Sequence, residues 1–308
     1  MRAVWSFWSR PHLSGRNFTW KTELHHRLSW ILSVESARPH FSSLALWTDD
    51  AGAEMLIGQL GLRFDEVSTS LNVLAEDDTD WWMMGKLQCY AEQYQPYVHI
   101  DSDVYLFQPL PEWARTAAVV AQNPEDTVAA LPWYDADRAA LMIRVHGNRR
   151  IPEEWTWYRT FSPVQTAACC GIVGGNRTDL LRRYADTVLS VLRAPENRRA
   201  FDDWDDKRVL NPLFEQYLLA ACAAYEGVPI TYLFESYGQA VNGGAARLGF
   251  THLMAGSKVD PDLMERLERR VARCYPELYE RAVSSMEVLE ESAAKDSAPV
   301  EDEERVGV

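Results

Sequence analysis

Residues 97–107 of this 308-residue chain read Tyr-Val-His-Ile-Asp-Ser-Asp-Val-Tyr-Leu-Phe. The residues before the two aspartates are apolar or β-favouring, which is typical of a buried strand in a mostly parallel sheet. Asp101 and Asp103 follow that strand, and residues two apart in extended chain point to the same side. Two neighbouring carboxylates repel each other unless a cation or a shared proton offsets their charge. The stretch therefore predicts a site for a hard divalent cation, which prefers oxygen ligands and often shares them with phosphate.

A solvent-exposed turn is the structural alternative for the aspartate pair. The residues that follow argue against it, because residues 104–107 are apolar and Pro109 and Pro111 come next. A solvated turn rarely continues into so apolar a segment. We therefore interpret the aspartate pair as the centre of a ligand site.

The patterns around this stretch alternate between strand and helix. Strand-like runs cover residues 3–8, 43–48, 64–67 and 97–100, and helical spacing of apolar residues covers residues 24–37, 51–60 and 82–94. The alternation predicts an α/β protein with a single doubly wound, mostly parallel sheet flanked by helices. Ligands of such sheets bind beyond the carboxyl ends of the strands. Trp5 and Asp49 also lie at strand ends, so we expect them to share a site with the aspartates.

Composition and charge limit the partners of the chain. The formal net charge of −14 argues against nucleic acid and against an anionic membrane surface. No apolar run approaches the ~20 residues of a membrane span, and the first residues lack a signal-peptide pattern. The five cysteines are scattered without zinc-ligand spacing, which predicts reduced thiols and a cytoplasmic protein.

Residues 97–111 resemble the Asp-x-Asp segment of nucleotide-sugar glycosyltransferases with the glycosyltransferase-A fold. In that family the motif follows a helix that carries a lysine, and Lys86 occupies the matching place. The resemblance implies a catalytic domain over residues 1–284, with a nucleotide-binding half (1–116), a donor-sugar and acceptor half (117–258) and C-terminal helices (259–284). Residues 285–308 form an acidic, low-aromatic tail, a composition that predicts disorder.

The resemblance also implies an activity. The chain would be a metal-dependent enzyme of the hexosyltransferase class that moves a sugar from a nucleoside-diphosphate sugar, a UDP-sugar being favoured, to an acceptor that the sequence does not identify. Mn²⁺ or Mg²⁺ would bind Asp101, Asp103 and His252, and the metal would bridge the diphosphate. The catalytic residues would be Asp103 and Glu215. The nucleotide and donor sugar would contact Trp5, Ser6, Asp49, Lys86, Asp101, Ser102, Gly174, Gly175, Gln216 and Lys258.

Glu215 and Gln216 resemble the acidic residue and glutamine that lie near the reacting carbon in several retaining glycosyltransferases. This resemblance favours transfer with retention of the anomeric configuration. The long irregular segment 122–165 is rich in tryptophan and tyrosine. Aromatic faces suit sugar rings, and long connections often form binding loops, so we expect the acceptor on this side.

Several of these residues also have a purely structural interpretation. Trp5 or Trp8 could stack on the base, but each is more simply a core tryptophan. Asp49 is more simply a helix cap, and Gly174 with Gly175 also suits tight helix–sheet packing. Two other functions stay open. One is a phosphatase of the haloacid dehalogenase type with Asp101 as nucleophile, although there the motif lies on the first strand. The other is a non-catalytic protein that binds nucleotide sugars or carbohydrate.

Overall fold

The computed structural model describes residues 1–15, 19–126, 134–146, 151–202, 204–241 and 243–296. Its strands are β1 (Arg2–Phe7), β2 (Leu44–Thr48), β3 (Glu66–Ser68), β4 (Tyr97–Ile100), β5 (Val104–Leu106), β6 (Val119–Ala121), β7 (Pro124–Asp126), β8 (Thr166–Ala168), β9 (Ile172–Gly175), β10 (Ile230–Tyr232) and β11 (Phe250–His252).

The α-helices are α1 (Ser9–Leu13), α2 (Glu23–Ala37), α3 (Asp50–Ala53), α4 (Met84–Ala91), α5 (Glu112–Arg115), α6 (Ala136–His146), α7 (Glu153–Phe161), α8 (Thr178–Arg193), α9 (Pro195–Asp202), α10 (Leu218–Tyr225), α11 (Tyr237–Val241), α12 (Gly244–Arg247), α13 (Pro261–Cys274) and α14 (Pro276–Asp296). Two π-helical segments continue α3 and precede α10, and they span Glu54–Gln59 and Leu213–Tyr217.

Seven strands form the central sheet, in the spatial order β10-β6-β9-β4-β1-β2-β3. The pairs β1–β2, β1–β4, β2–β3 and β6–β10 are parallel. Strand β9 is antiparallel to both of its neighbours, β4 and β6. The predicted α/β class with one mostly parallel sheet is confirmed.

The two faces of the sheet carry separate hydrophobic cores, because successive strand residues point to opposite sides. In β1, Val4 packs into the core that contains α4, α8 and α10, whereas Ala3 and Trp5 pack into the core that contains α2 and α13. Strands β2 and β4 are buried along their whole length. Burial on both faces explains why these strands read as almost continuous apolar runs.

A two-stranded ribbon lies beside the sheet and completes the region around the aspartates. The apolar residues that follow Asp103 form β5, which pairs with β11 in antiparallel orientation. The register sets His252 opposite Val104, one residue after Asp103. The ribbon thus joins the first half of the chain to its C-terminal part, and it explains the apolar sequence after the turn.

The end of the chain differs from its sequence-based boundary. Helix α14 continues to Asp296, beyond residue 284, so residues 285–296 are helical rather than part of a disordered tail. Before that boundary Ala282 is fully buried, and Arg281 donates to the carbonyls of Gly58 and Gln59 at 3.2 Å each, which docks the helix. Residues 297–308 lie outside the described residues. None of the helices in the described part of the chain is long and apolar enough to span a membrane.

Candidate active site

A cavity of about 340 Å³ lies beyond the carboxyl ends of β1 and β4. Its walls come from the end of β1, the start of α4, the aspartate turn, the second π segment and the residues after β11. The sequence-predicted residues that line it are Ser6, Lys86, Asp101, Ser102, Asp103, Glu215, Gln216, His252 and Lys258. The fold therefore brings most of the candidate residues together, at the edge where parallel sheets bind ligands.

Helix α2 holds the backbone of the aspartate turn. The Ser33 hydroxyl donates to the carbonyl of Asp101 at 3.0 Å, and the Ser29 hydroxyl donates to the carbonyl of Ser102 at 2.6 Å. The amide of the residue after β11 donates to the carbonyl of Asp103 at 2.9 Å. With these carbonyls fixed, both carboxylates are held towards the cavity.

Lys86 joins the first aspartate to Glu215. Its Nζ lies 2.9 Å from Asp101 Oδ1 and also forms an ion pair with Glu215 Oε1. Burial alone would lower the pKa of Lys86, but the two carboxylates outweigh it and raise that pKa, so the ammonium stays charged. Burial also raises the pKa of Asp101, and it raises the pKa of Glu215 to about 6 although Lys86 opposes the shift. This half of the site has one cation for two carboxylates.

Asp103 has a different environment on the other side of the turn. Lys258 Nζ lies 2.6 Å from its Oδ2, and His252 Nε2 lies 3.3 Å from its Oδ1. Burial alone would raise the pKa of Asp103, but Lys258 outweighs it, with His252 adding to the effect in its protonated form, and that pKa is held well below its usual value. Asp103 therefore favours the ionised form.

The tautomer of His252 follows from a chain of amide hydrogen bonds. Asn123 donates from Nδ2 to the carbonyl of Pro124 at 3.1 Å, so its Oδ1 accepts from Gln122 Nε2 at 3.0 Å. Gln122 then presents its Oε1 to His252 Nδ1 at 2.7 Å, and an amide oxygen can only accept. His252 must therefore carry a proton on Nδ1. In the neutral ring the lone pair on Nε2 faces Asp103 Oδ1, so two acceptors face each other.

This arrangement fits a divalent cation. Ligand atoms of Asp101, Asp103 and His252 all lie within 4.8 Å of one another. Asp103 Oδ1 is buried and has no hydrogen-bond partner among the described residues. Carboxylates suit Mg²⁺ and Mn²⁺, whereas imidazole is a ligand of transition metals, so Mn²⁺ matches the mixed set better. A metal-binding histidine also usually donates its other N–H to an oxygen, as His252 does to Gln122.

Gly171 is a site residue that the sequence pattern does not single out. A Cβ atom there would come within 2.4 Å of His252 Cε1 and 2.6 Å of Gln122 Oε1. Its carbonyl accepts from the amide of Asp101 at 3.0 Å. Glycine is therefore needed here so that the histidine and its glutamine can meet beside the aspartate turn. Gly171 lies in the small-residue run that begins at residue 167, which is the sequence feature that could have pointed to it.

Two predicted donor residues, Trp5 and Asp49, lie outside the cavity lining. Trp5 is fully buried in the core, and its Nε1 donates to Ser33 Oγ at 2.9 Å. Its side chain is enclosed in the core on the α2 side of the sheet, so no face of its ring is open to a base. Asp49 caps α3 by accepting from the amide of Gly52, and it also accepts from the amide and hydroxyl of Ser9 at 2.9 Å each. The structural interpretations of both residues are correct.

Gly174 and Gly175 are also packing residues, not donor contacts. A Cβ at Gly174 would approach the carbonyl oxygen of Tyr97 to 2.1 Å, and one at Gly175 would approach that of Ala118 to 2.2 Å. Gly175 also has a φ of +134°, which L-residues rarely adopt. The two glycines let β9 run close between β4 and β6.

Of the two tryptophans considered for the base, Trp8 lines the cavity and Trp5 does not. Phe7, Trp8, Trp30 and Trp82 contribute to its wall, together with His26 and Glu125. Trp8 Nε1 is buried without a hydrogen-bond partner in the described part of the chain. Trp8 is the first residue after β1, and its side chain packs on the opposite side of the sheet from that of Phe7.

The aromatic residues of segment 122–165 are mainly core residues. Tyr134, Trp155 and Tyr158 are at most 4 % exposed and pack with α10 and its π segment. Trp157 packs against Tyr225, with ring centroids 5.8 Å apart. Trp133 lies outside the described residues. The rings of Tyr134, Trp155 and Tyr158 are therefore not open to a sugar, and the acceptor side of segment 122–165 stays a prediction.

The fold and the cavity define an α/β protein with a site of mixed charge at the carboxyl ends of its strands. The chain belongs to DUF6734, a family of unknown function, whose profile matches residues 1–285. No curated protein matches the chain by sequence. Among solved structures it is similar to the galactosyltransferase LgtC in complex with donor and acceptor sugar analogues, at 14 % identity and a TM-score of 0.39 over 87 % of this chain and 83 % of that one.

Proposed function

We propose that this protein is a metal-dependent glycosyltransferase that uses a nucleoside-diphosphate sugar. The observation that carries the proposal is the pairing at the aspartate turn, where Asp103 lies between Lys258 and His252 while Lys86 joins Asp101 to Glu215. The site combines carboxylates that suit a metal with cations that suit a diphosphate. Burying charged groups costs free energy, so fold stability alone explains neither the carboxylates nor the lysines of the cavity.

The two lysines would bind the diphosphate. Both Lys86 and Lys258 are paired with aspartates here, and a metal held by those aspartates would leave the ammonium groups for phosphate oxygens. A lysine neutralises phosphate as a compact charge on a flexible stem. Trp8, at the end of β1, is the aromatic residue of the wall that is placed to stack on a nucleobase.

Asp101, Asp103 and His252 would hold Mn²⁺ or, less well matched, Mg²⁺. Such an ion supplies Lewis-acid stabilisation of the departing diphosphate. By holding the proton on His252 Nδ1, Gln122 would leave the Nε2 lone pair available to such an ion, and Gly171 leaves room for the contact between His252 and Gln122.

Glu215 would act on the sugar. In the transfer, the bond from the anomeric carbon to a diphosphate oxygen breaks, and a bond to the acceptor oxygen forms. The proton of the acceptor hydroxyl passes to the departing diphosphate, which lies on the same face in a retaining reaction. Positive charge develops on the anomeric carbon meanwhile, and a buried carboxylate fixed by Lys86 stabilises such charge without reorganisation.

Nucleoside-diphosphate binding tests the proposal directly. In calorimetry, wild-type protein should bind UDP or GDP only when Mn²⁺ is present. Asp103→Asn should lose this Mn²⁺-dependent binding. Asp50→Asn changes an exposed aspartate outside the cavity lining, so it should bind as wild type does. Metal-independent binding by wild type, or unchanged binding by Asp103→Asn, contradicts the site.

Two further measurements separate the open alternatives. Covalent phosphate trapped on Asp101 from a phosphomonoester would identify a phosphatase of the haloacid dehalogenase type. Metal-dependent nucleotide binding without transfer or hydrolysis of any nucleotide sugar would identify a non-catalytic binding protein.

A further inference from the structure

A second cavity adjoins the first and shares one carboxylate with it. This groove, of about 840 Å³, is lined by residues at the start of β7, by residues 162–166 and by residues 235–238. Glu125 lines both cavities. A volume of this size is typical of small-molecule sites. A molecule in the groove would therefore reach the donor cavity at Glu125.

A hydrogen bond holds Glu125 at this boundary. The Tyr134 hydroxyl donates to Glu125 Oε2 at 2.5 Å, and Gln216 Oε1 lies 2.5 Å from the same hydroxyl. Gln216 follows Glu215 on the π segment and lines the donor cavity. Tyr134 itself is buried, so the packing around its ring fixes the position of its hydroxyl. The carboxylate thus lies between the groove and the residue proposed to act on the sugar.

The charges of the groove select the chemistry of its occupant. Glu125 and Glu235 are acidic, and the described lining residues include no lysine, arginine or histidine. Phosphate or carboxylate groups would therefore meet repulsion without compensation. The donor cavity, in contrast, contains Lys86 and Lys258. The occupant of the groove should therefore carry no phosphate or carboxylate group.

The remaining lining suits a sugar. Side-chain hydroxyl and amide groups come from Ser162, Gln165, Thr166 and Ser236, and exposed apolar surface comes from Val164 and Tyr237. A saccharide presents hydroxyls together with apolar C–H faces, which match polar groups beside an aromatic ring. We infer that the groove binds the acceptor, and that the acceptor is a neutral saccharide, one of whose non-reacting hydroxyls donates to Glu125. The inference rests on the proposed glycosyl transfer.

Saturation-transfer NMR on the full chain tests the groove without turnover. The probes are the methyl glycosides of glucose, galactose and mannose, each compared with its 6-phosphate. At least one neutral glycoside should give a signal, and its phosphate should give a weaker one. Ser236→Trp fills the groove and should reduce the signal at least fivefold. Val73→Trp adds the same side chain at an exposed position outside both linings and should leave it unchanged.

Glu125→Gln should weaken glycoside binding about tenfold, since a hydrogen bond to a charged acceptor is lost. The inference is overturned if no neutral glycoside binds, if the 6-phosphates bind better, or if Ser236→Trp binds glycosides as wild type does. Calorimetry of UDP and GDP with Mn²⁺ on the same samples reports on the donor cavity. Nucleotide binding without glycoside binding refutes only the groove, whereas glycoside binding without nucleotide binding refutes the proposed function and, with it, the acceptor role.

Discussion

Gln122 gives the sharpest test of the metal site, because it touches no proposed substrate. Its Oε1 accepts the Nδ1 proton of His252 at 2.7 Å, and its side chain is fully buried. Gln122→Met keeps the length of the side chain but removes the acceptor. His252 is then free to place its proton on Nε2, where it would face the metal instead of the lone pair.

The expected loss is large enough to measure. Removing an outer hydrogen-bond partner of a metal-binding histidine typically lowers metal affinity 10- to 100-fold, or about 1.4–2.7 kcal/mol. Titration of Mn²⁺ followed by electron paramagnetic resonance gives the affinity directly. Gln122→Glu supplies a stronger acceptor for the same proton, so it should bind Mn²⁺ at least as tightly as wild type.

Gln93 offers a matched control for this experiment. It is also fully buried, and its amide donates to the carbonyl of Cys89 at 2.8 Å and accepts from Arg2 at 2.6 Å, away from the cavity lining. Gln93→Met should reduce stability without changing Mn²⁺ affinity. Equal affinities for wild type and a folded Gln122→Met protein would refute the tautomer argument, as would equal losses in the two methionine variants.

Three further predictions concern other parts of the site. Glu215→Gln should keep donor binding and lose turnover by roughly a hundredfold or more; NMR of the product's anomeric proton should show retention, and an inverted product would exclude this role. Trp8→Leu should weaken nucleotide binding by about 1–3 kcal/mol, whereas Trp5→Ala should instead destabilise the fold by about 3–5 kcal/mol. Calorimetry measures the first effect and chemical denaturation the second. A Trp8→Leu protein with unchanged nucleotide affinity would remove Trp8 from the base site. Burial lowers the pKa of His26 to about 4, so the unfolded state binds more protons and stability should fall as pH drops from about 6.5 to about 4. His26→Phe should make the free energy of unfolding, measured by denaturation, depend less on pH in this range. An unchanged pH dependence in the variant would contradict the prediction.

The sheet and the centre of the site were predictable because their signals are local. The strand before Asp101 and the spacing of Asp101 and Asp103 depend on a few adjacent residues, and the alternation of elements depends only on periodicity. His252 and Lys258 came from the resemblance, and the structure places both against Asp103. Their contact depends on the β5–β11 ribbon, whose pairing spans nearly 150 positions and leaves no local trace.

Other assignments failed because one residue can serve two purposes with the same local pattern. Trp5 and Trp8 both lie near the end of β1, but Trp5 is enclosed in the core beneath the cavity whereas Trp8, just after the strand, reaches its wall. Gly171 and Gly174 lie in one small-residue run, yet the first leaves room for His252 and the second for the backbone of Tyr97. Tertiary contacts distinguish these cases, and sequence spacing does not.

The β5–β11 ribbon also sets the order in which the site forms during synthesis. Asp103 and His252 are 149 positions apart in the chain, and a ribosome adds about 5–20 residues per second. The aspartate turn therefore emerges about 7–30 s before the histidine that faces it. Strands β1 to β4 can pair in that interval, whereas metal affinity can appear only after β11 has been made. A nascent chain stalled before residue 250 should have the first strands of the sheet but no Mn²⁺ site, so a bound metal would stabilise the finished fold and not its early stages.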